Sequence, residues 1–285
     1  MKKIFLPLLI LTFLLAGFGC QTSTPTPVNS SINVSNSSTS NTPTNTNTNI
    51  PTTSENISVT SPSANETVSN PIHVTGSARV FENVVSWRLK DSKGAVLTNG
   101  TTEAAAPDVG QFGDYDFWLV VPEVLNANVT LEVFQASAKD GSDADLVSVP
   151  LKLESLETTD LKVYFHNDKM DLAITCTTVF SVTRKIITTN SPARAAMVLL
   201  LQGPTDLETV NNYSTIIPFP SELKDIALSS DGLLTVDLGG AIAGPIGGSC
   251  LVGGIGAEIE ETLKQFSTVK EVKILINGEA DKLQP

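Results

Sequence analysis

In four runs between Val85 and Leu153 the apolar side chains fall on every second residue, and this pattern constrains the chain more than any other feature. Val85, Trp87 and Leu89 alternate with Ser86, Arg88 and Lys90. Val129, Leu131 and Val133 alternate with Thr130 and Glu132, and Val147, Val149, Leu151 and Leu153 with Ser148, Pro150, Lys152 and Glu154. Tyr115, Phe117, Leu119 and Val121 share one parity. Successive side chains of an extended chain point to opposite faces, so each run has one apolar face and one solvated face. Turn chemistry separates the runs at Asp91-Ser92-Lys93-Gly94 and Asp140-Gly141-Ser142. About seven short strands in roughly 95 residues predict an immunoglobulin-like β-sandwich over residues 57–154. The segment has no Cys, so no disulfide joins its sheets.

After residue 154 the period changes. Leu161–Phe165 reads as a strand and Ile174–Ile187 as a longer β-rich stretch. Ser191-Pro192 then opens a helix, with Ser as N-cap and Pro at the first helical position. The helix continues through Leu201 and stops at Gly203-Pro204. It is apolar nearly all round, which predicts burial against a sheet. Asp231-Gly232 forms a hairpin turn between Ile226–Leu228 and Leu233–Asp237. Val252, Ile255, Ile259, Leu263 and Phe266 line one face of a second helix, while Glu258, Glu261 and Lys264 fall on other faces. Val272, Ile274 and Ile276 alternate as a last strand. This order predicts an α+β domain over residues 160–280, with residues 239–256 as a loose Gly-rich insert.

The N-terminus reads as an address. Lys2 and Lys3 precede an apolar run over residues 4–18 that is broken only by Thr12. Fifteen residues suit a signal-peptide core and are short for a spanning helix, which needs about 20. Gly19-Cys20 closes the run and resembles the lipobox of bacterial lipoproteins. In that family the Cys sulfur receives a diacylglycerol and the chain is cut directly before it. Phe18 and Gly17 depart from the usual pattern, where a small residue and Leu are expected. The resemblance implies lipid attachment at Cys20 and a signal peptide over residues 1–19. An ordinary secretory cut leaving a free Cys20 is the alternative. Residues 20–56 then read as a disordered tether. Of the 36 residues from Gln21 to Asn56, 30 are Ser, Thr, Asn or Pro. Such a stretch has almost nothing to bury against its ordering entropy. As a coil it reaches on the order of 30 Å.

Two further resemblances cover the predicted domains. Ser61-Pro62, the run Pro71–Glu82 and Ala138–Ser142 make residues 57–153 similar to the immunoglobulin-like domain of bacterial spore germination proteins, called Gmad2. That family implies a sandwich in an envelope context and no enzyme activity. Val163–Phe165, Arg184–Ile186, Leu199–Thr205, Ile217-Pro218, Thr235–Leu238 and Thr262–Phe266 make the second half resemble the GerMN domain of sporulation and germination lipoproteins. That family implies protein–protein assembly at the membrane surface, with ring-like complexes in spore formers. The fold class is therefore multidomain: an all-β immunoglobulin-like sandwich followed by an α+β (GerMN) domain, after a signal peptide and a disordered linker.

Chemistry-bearing residues are few. The 30 acidic residues outnumber 18 basic ones for a formal charge of −12, so clustered Lys and Arg for nucleic acid are lacking. Two histidines cannot build a His-rich metal centre, and three cysteines cannot build a thiolate zinc site alone. His73 and His166 read as core or edge residues of strands. Ser249 in Gly-Gly-Ser-Cys-Leu lacks the last Gly of a nucleophile elbow. Gly253-Gly254-Ile255-Gly256 opens a helix and could hold an anion, but no phosphate-loop Lys follows. Asp140, Asp143 and Asp145 crowd one turn without calcium-loop spacing. Asp237 and the Glu258, Glu260, Glu261 group could pair as carboxylates, against the blander reading of solvated helix charges. No cofactor and no metal are expected. If Cys20 carries lipid, Cys176 and Cys250 remain as an even pair in an exported domain, which favours a disulfide; two buried free thiols are the alternative.

These readings lead to two functions of different class. One is a non-catalytic interaction or assembly module on the extracytoplasmic face of the cell membrane, tethered through Cys20. Its partners would be envelope proteins, without nucleic acid, and self-assembly would be compatible with it. The other is a cell-wall ligand-binding protein or hydrolase. The lack of a nucleophile–base pair favours the first.

Overall fold

The computed structural model describes residues 52–280 and 282–283. The expected signal peptide, Cys20 and most of the expected tether lie outside the described residues.

Nine strands build the first domain: β1 (Thr52–Thr53), β2 (Ile57–Ser61), β3 (Thr67–Val68), β4 (Ile72–Ala78), β5 (Val84–Asp91), β6 (Val96–Glu103), β7 (Gly113–Leu119), β8 (Asn128–Ala136) and β9 (Asp143–Leu153). They form a four-stranded sheet, β1-β2-β4-β7, facing a five-stranded one, β3-β9-β8-β5-β6. The period-two residues fall where the alternation puts them. Leu89 pairs with Leu131, Leu131 with Val149, and Trp87 with Val133, and all are buried. Each fully buried Leu, Ile or Val contributes about 1.5–3 kcal/mol. Gly94 and Gly141 sit in the two expected turns with φ of 86° and 73°, a region that costs other residues dearly. One boundary differs from the reading. The ordered chain starts before residue 57, because Thr52 and Thr53 pair with Val59 and Ser58. The edge of β2 supplies free backbone groups, and two Thr residues have enough β preference to use them.

The second domain contains β10 (Thr158–Asn167), β11 (Phe180–Ile187), α1 (Pro192–Leu201), α2 (Asp206–Val210), β12 (Tyr213–Ser214), β13 (Ser221–Leu228), β14 (Leu233–Gly240), α3 (Ser249–Lys264) and β15 (Glu271–Ile276). The strands form two three-stranded sheets, β11-β10-β12 and β13-β14-β15. β13 and β14 make the hairpin expected at Asp231-Gly232, and α3 carries the chain across to β15, which is parallel to β14. α1 buries Ala195 through Leu200 against β10, β13 and α3, as its apolar circumference requires.

Three features depart from the sequence reading. Residues 174–179 are not strand; β11 begins only at Phe180. Asp171 Oδ2 accepts from both the backbone N–H and the hydroxyl of Thr175, and Thr175 Oγ1 accepts from the Thr178 N–H. These local bonds compete with a sheet ladder. Second, Gly253, Gly254 and Gly256 lie inside α3, which starts at Ser249. The expected loose insert therefore ends about two turns earlier, and the Gly253–Gly256 amides belong to the helix interior rather than to an open anion nest. Third, α2 was not anticipated, although Thr205 and Glu208 form a complete capping box. Arg184 holds this helix. Its guanidinium donates to both Glu208 oxygens and to the Leu199 and Gly203 carbonyls at the end of α1.

The two domains share a seam. Asn70, buried, donates its Nδ2 to the Ile187 carbonyl at 2.5 Å and accepts from the Val121 N–H at 2.9 Å. The Ile187 N–H donates to the Val121 carbonyl at 3.0 Å. The Ile187 side chain belongs to the sandwich core, whereas Ile186 and Val120 belong to the core of the second domain. The linker between β9 and β10 is only residues 154–157.

Candidate functional site

The described residues bring most of the unusual chemistry to one place, where the end of β10 meets the start of α3. Cys176, in the loop after β10, is disulfide-bonded to Cys250, the second residue of α3, with Cα atoms 5.1 Å apart. The bridge joins a loop, not the strand expected around Cys176. A cleft of about 700 Å³ opens beside it, lined by His166, Asp168, Asp171, Ile174, Ser214 and Ile216 among others.

Glu258 lies under this cleft and is 0% exposed. Thr215 Oγ1 donates to its Oε2 at 2.5 Å and the Ile216 N–H to its Oε1 at 3.1 Å. His166 Nε2 stands 3.5 Å from Oε1, within ion-pair distance but without a hydrogen bond. Gly254 makes the approach of these elements feasible. A Cβ there would stand 2.6 Å from the Cys176 carbonyl oxygen and 3.1 Å from His166 Nε2. The sequence reading put Glu258 on a solvated helix face, and the structure corrects it. Ile255, Glu258, Ile259 and Thr262 form one buried stripe of α3. Their spacing of three and four marks Glu258 as inward, a signal that the reading of Glu258 as a surface charge passed over.

Burial pushes the Glu258 carboxyl up to about 7, and the bonds from Thr215 and Ile216 offset this only in part. Between pH ~4.5 and ~7 the folded protein thus holds a proton that the unfolded chain has released. Stability from this group is complete below that window and is lost as pH rises through it. The amount is on the order of 2–3 kcal/mol. Glu258→Gln keeps the shape and removes the titration. The difference between wild type and variant in urea-unfolding free energy should therefore shift by that amount between pH 5 and pH 8. Parallel pH profiles would show that the carboxyl is not held protonated.

Chemically this arrangement can hold a proton and pin α3 to the segment that follows β12. It offers no activated nucleophile. Ser249 is exposed at the first position of α3.

Two segments match family models. Residues 56–142 match the model described as the immunoglobulin-like domain of bacterial spore germination, Gmad2. Residues 162–282 match Germane, described as sporulation and spore germination. Both halves are similar to spore-germination domains. Similar solved structures include the first GerMN domain of the sporulation protein GerM from Bacillus subtilis, at 17% identity over 43% of this chain and 85% of that one, TM-score 0.31. The tandem GerMN domains of the same protein match at 19% identity over 51% of this chain and 54% of theirs, TM-score 0.32. No curated protein matches the chain.

The remaining sequence candidates are spread over both domains. In the Gmad2-like domain His73 pairs with Asp116 at 2.7 Å and stacks on Trp118 with ring centroids 4.1 Å apart. Asp140, Asp143 and Asp145 do not converge. Asp140 accepts from Ser142, Asp143 pairs with Arg88, and Asp145 accepts from Asn56 and Gln135. In the Germane-like domain Asp237 accepts from the Gly278 N–H and Glu260 pairs with Lys264. Among the described residues no cluster of three His, Cys, Asp or Glu side chains could hold a metal ion. Cys20 lies outside the described residues.

Proposed function

We propose that the chain is a lipid-anchored extracytoplasmic envelope protein of the sporulation or germination type, whose two domains act as a non-catalytic assembly module. One observation carries the reading. The loop between β10 and β11, held by the Cys176–Cys250 bridge, presents Leu172 and Ile174 to solvent at 89% and 90% exposure. Apolar side chains standing free on a covalently fixed loop fit a protein-binding surface better than a catalytic one. Ile174 is held there at a φ of 51°, a conformation that β-branched residues rarely adopt. Lipid on Cys20 and the tether that follows it would place this loop near other envelope proteins.

The anchor and the surface are tested separately. Cys20→Ser should move the protein from the membrane to the soluble fraction, or leave it unprocessed. Unchanged fractionation and migration would refute the anchor. A photocrosslinking residue at Leu172, used in native envelopes, should give a discrete adduct that is missing when the same residue replaces Lys139 in the opposite domain. Equal patterns from both positions would remove the loop as the contact surface.

A further inference from the structure

We propose that the cleft between the two domains binds one neutral sugar ring. The cleft has a volume of about 180 Å³ and is walled by Trp87, Gly100 and Trp118 of the Gmad2-like domain and by Gln202, Phe219 and Glu222 of the Germane-like domain. A dry cavity of about 150 Å³ accommodates benzene, so this one has room for a single six-membered ring with small substituents.

Its walls carry hydrogen-bonding capacity that the protein does not use. The indole Nε1 of Trp87 and the amide Nε2 of Gln202 are both buried without an acceptor. Trp87 is 4% exposed. Buried donors are almost always paired, and two unpaired ones on the same cleft, contributed by different domains, point to a ligand with acceptor oxygens. Gly100 shapes this wall. It pairs with Trp87 across the β5–β6 ladder, and a Cβ there would stand 2.5 Å from Cζ2 and 2.9 Å from Cε2 of the indole. Only a residue without a side chain lets the indole lie across the sheet.

Charge narrows the ligand class. Asp116 and Glu222 border the cleft. Burial raises the Glu222 carboxyl, Lys224 opposes this, and Glu103 and Asp116 push the same way as burial. An anion would meet these carboxylates. A purely apolar ring would leave both N–H donors unpaired. A polyhydroxylated ring supplies acceptors for Trp87 and Gln202 and hydroxyl donors for the carboxylates. Phe219, largely exposed at the mouth, offers it an aromatic surface.

The chain has two tryptophans, and both line this cleft, so intrinsic fluorescence reports on it directly. The purified protein is titrated with glucose and with N-acetylglucosamine, and cyclohexanol serves as an apolar ring of similar size. A saturable change with at least one sugar, near about 1 mM, and none with cyclohexanol is expected. Trp87→Phe keeps the ring and loses the N–H; Gln202→Met keeps the bulk and loses the amide. Each should weaken the sugar about tenfold; Gln202→Met should melt like wild type, whereas Trp87→Phe should melt lower because the core loses part of the indole, so its affinity is read well below its own melting temperature. Trp118 still reports in the first variant, and saturation-transfer NMR on the sugar reads both. No saturable response up to about 100 mM sugar would mean that the cleft holds water only and would overturn the proposal. Wild-type affinity in both variants, or competition by cyclohexanol, would overturn it as well.

Discussion

Replacing Cys176 and Cys250 together by Ser is expected to lower the unfolding free energy by about 4 kcal/mol. The bridge spans a sequence separation of 74 residues. Cross-linking a loop of that length removes roughly 15 cal/mol/K of chain entropy from the unfolded state. The folded state adds to this. Cys176 ties the loop of Asp171, Ile174 and Thr175 to the first turn of α3, which has no side-chain N-cap. Loss of the bond should therefore fray both before global unfolding. Urea titration of the oxidised protein against the double variant measures the total, and hydrogen exchange at Thr175 and Leu251 measures the local part. Mapping without reduction should find the peptides of Cys176 and Cys250 linked in the protein isolated from its host cells. If both cysteines alkylate fully without reduction, or if the variant unfolds at the same urea concentration, the two are free thiols with no bond between them.

Parity points to that pair only once Cys20 is set aside as the lipid site, whereas alternation makes β5, β8 and β9 legible residue by residue. Both signals are local or arithmetic. Asp231-Gly232 is readable for the same reason, since turn chemistry acts within four residues; Pro192 marks the start of α1, although the Ser191 side chain makes no capping bond. Thr205 and Glu208 carried an equally local capping-box signal for α2, which the longer flanking helix and strand patterns obscured. The Ile174–Val179 stretch was misread because its apolar and Thr content fits a strand. Hydrogen bonds from Thr175 and Thr178 to neighbouring side chains decide otherwise. Glu258 was misassigned because a carboxylate on a helix is solvated by default. Its burial depends on Thr215 and Ile216, about 40 residues away, whose donors no periodicity reveals. The same holds for the cleft. Trp87 was read correctly as a core residue, yet its unpaired N–H becomes visible only when Gln202 stands on the same cleft. Long-range pairing sets the site, whereas short-range pattern sets the strands.

The seam between the domains is long-range in this sense, and Ile187→Ala should expose how much it carries. Ile187 is 2% exposed, and although it ends β11 of the second domain, its side chain fills the core of the first. Truncation to Ala should cost roughly 4 kcal/mol, the upper part of the usual range for a fully buried Ile, because the side chain bridges two cores that cannot collapse independently. For a folded unit of this size the melting temperature should fall by about 8–16 °C. Asn70→Ala attacks the same seam through its hydrogen bonds and leaves the Ile187 carbonyl and the Val121 N–H buried without their partner. Because the two residues meet at Ile187, their effects should not add; the double variant should be less destabilised than the sum by at least about 0.5 kcal/mol. The sandwich expressed alone as residues 52–154 would lack the Ile187 side chain, so it should melt well below the intact chain while retaining a β-type circular dichroism spectrum. The intact protein should unfold in one transition. Two separate transitions in the wild type, or a shift below about 2 °C for Ile187→Ala, would mean that the domains fold independently and merely touch.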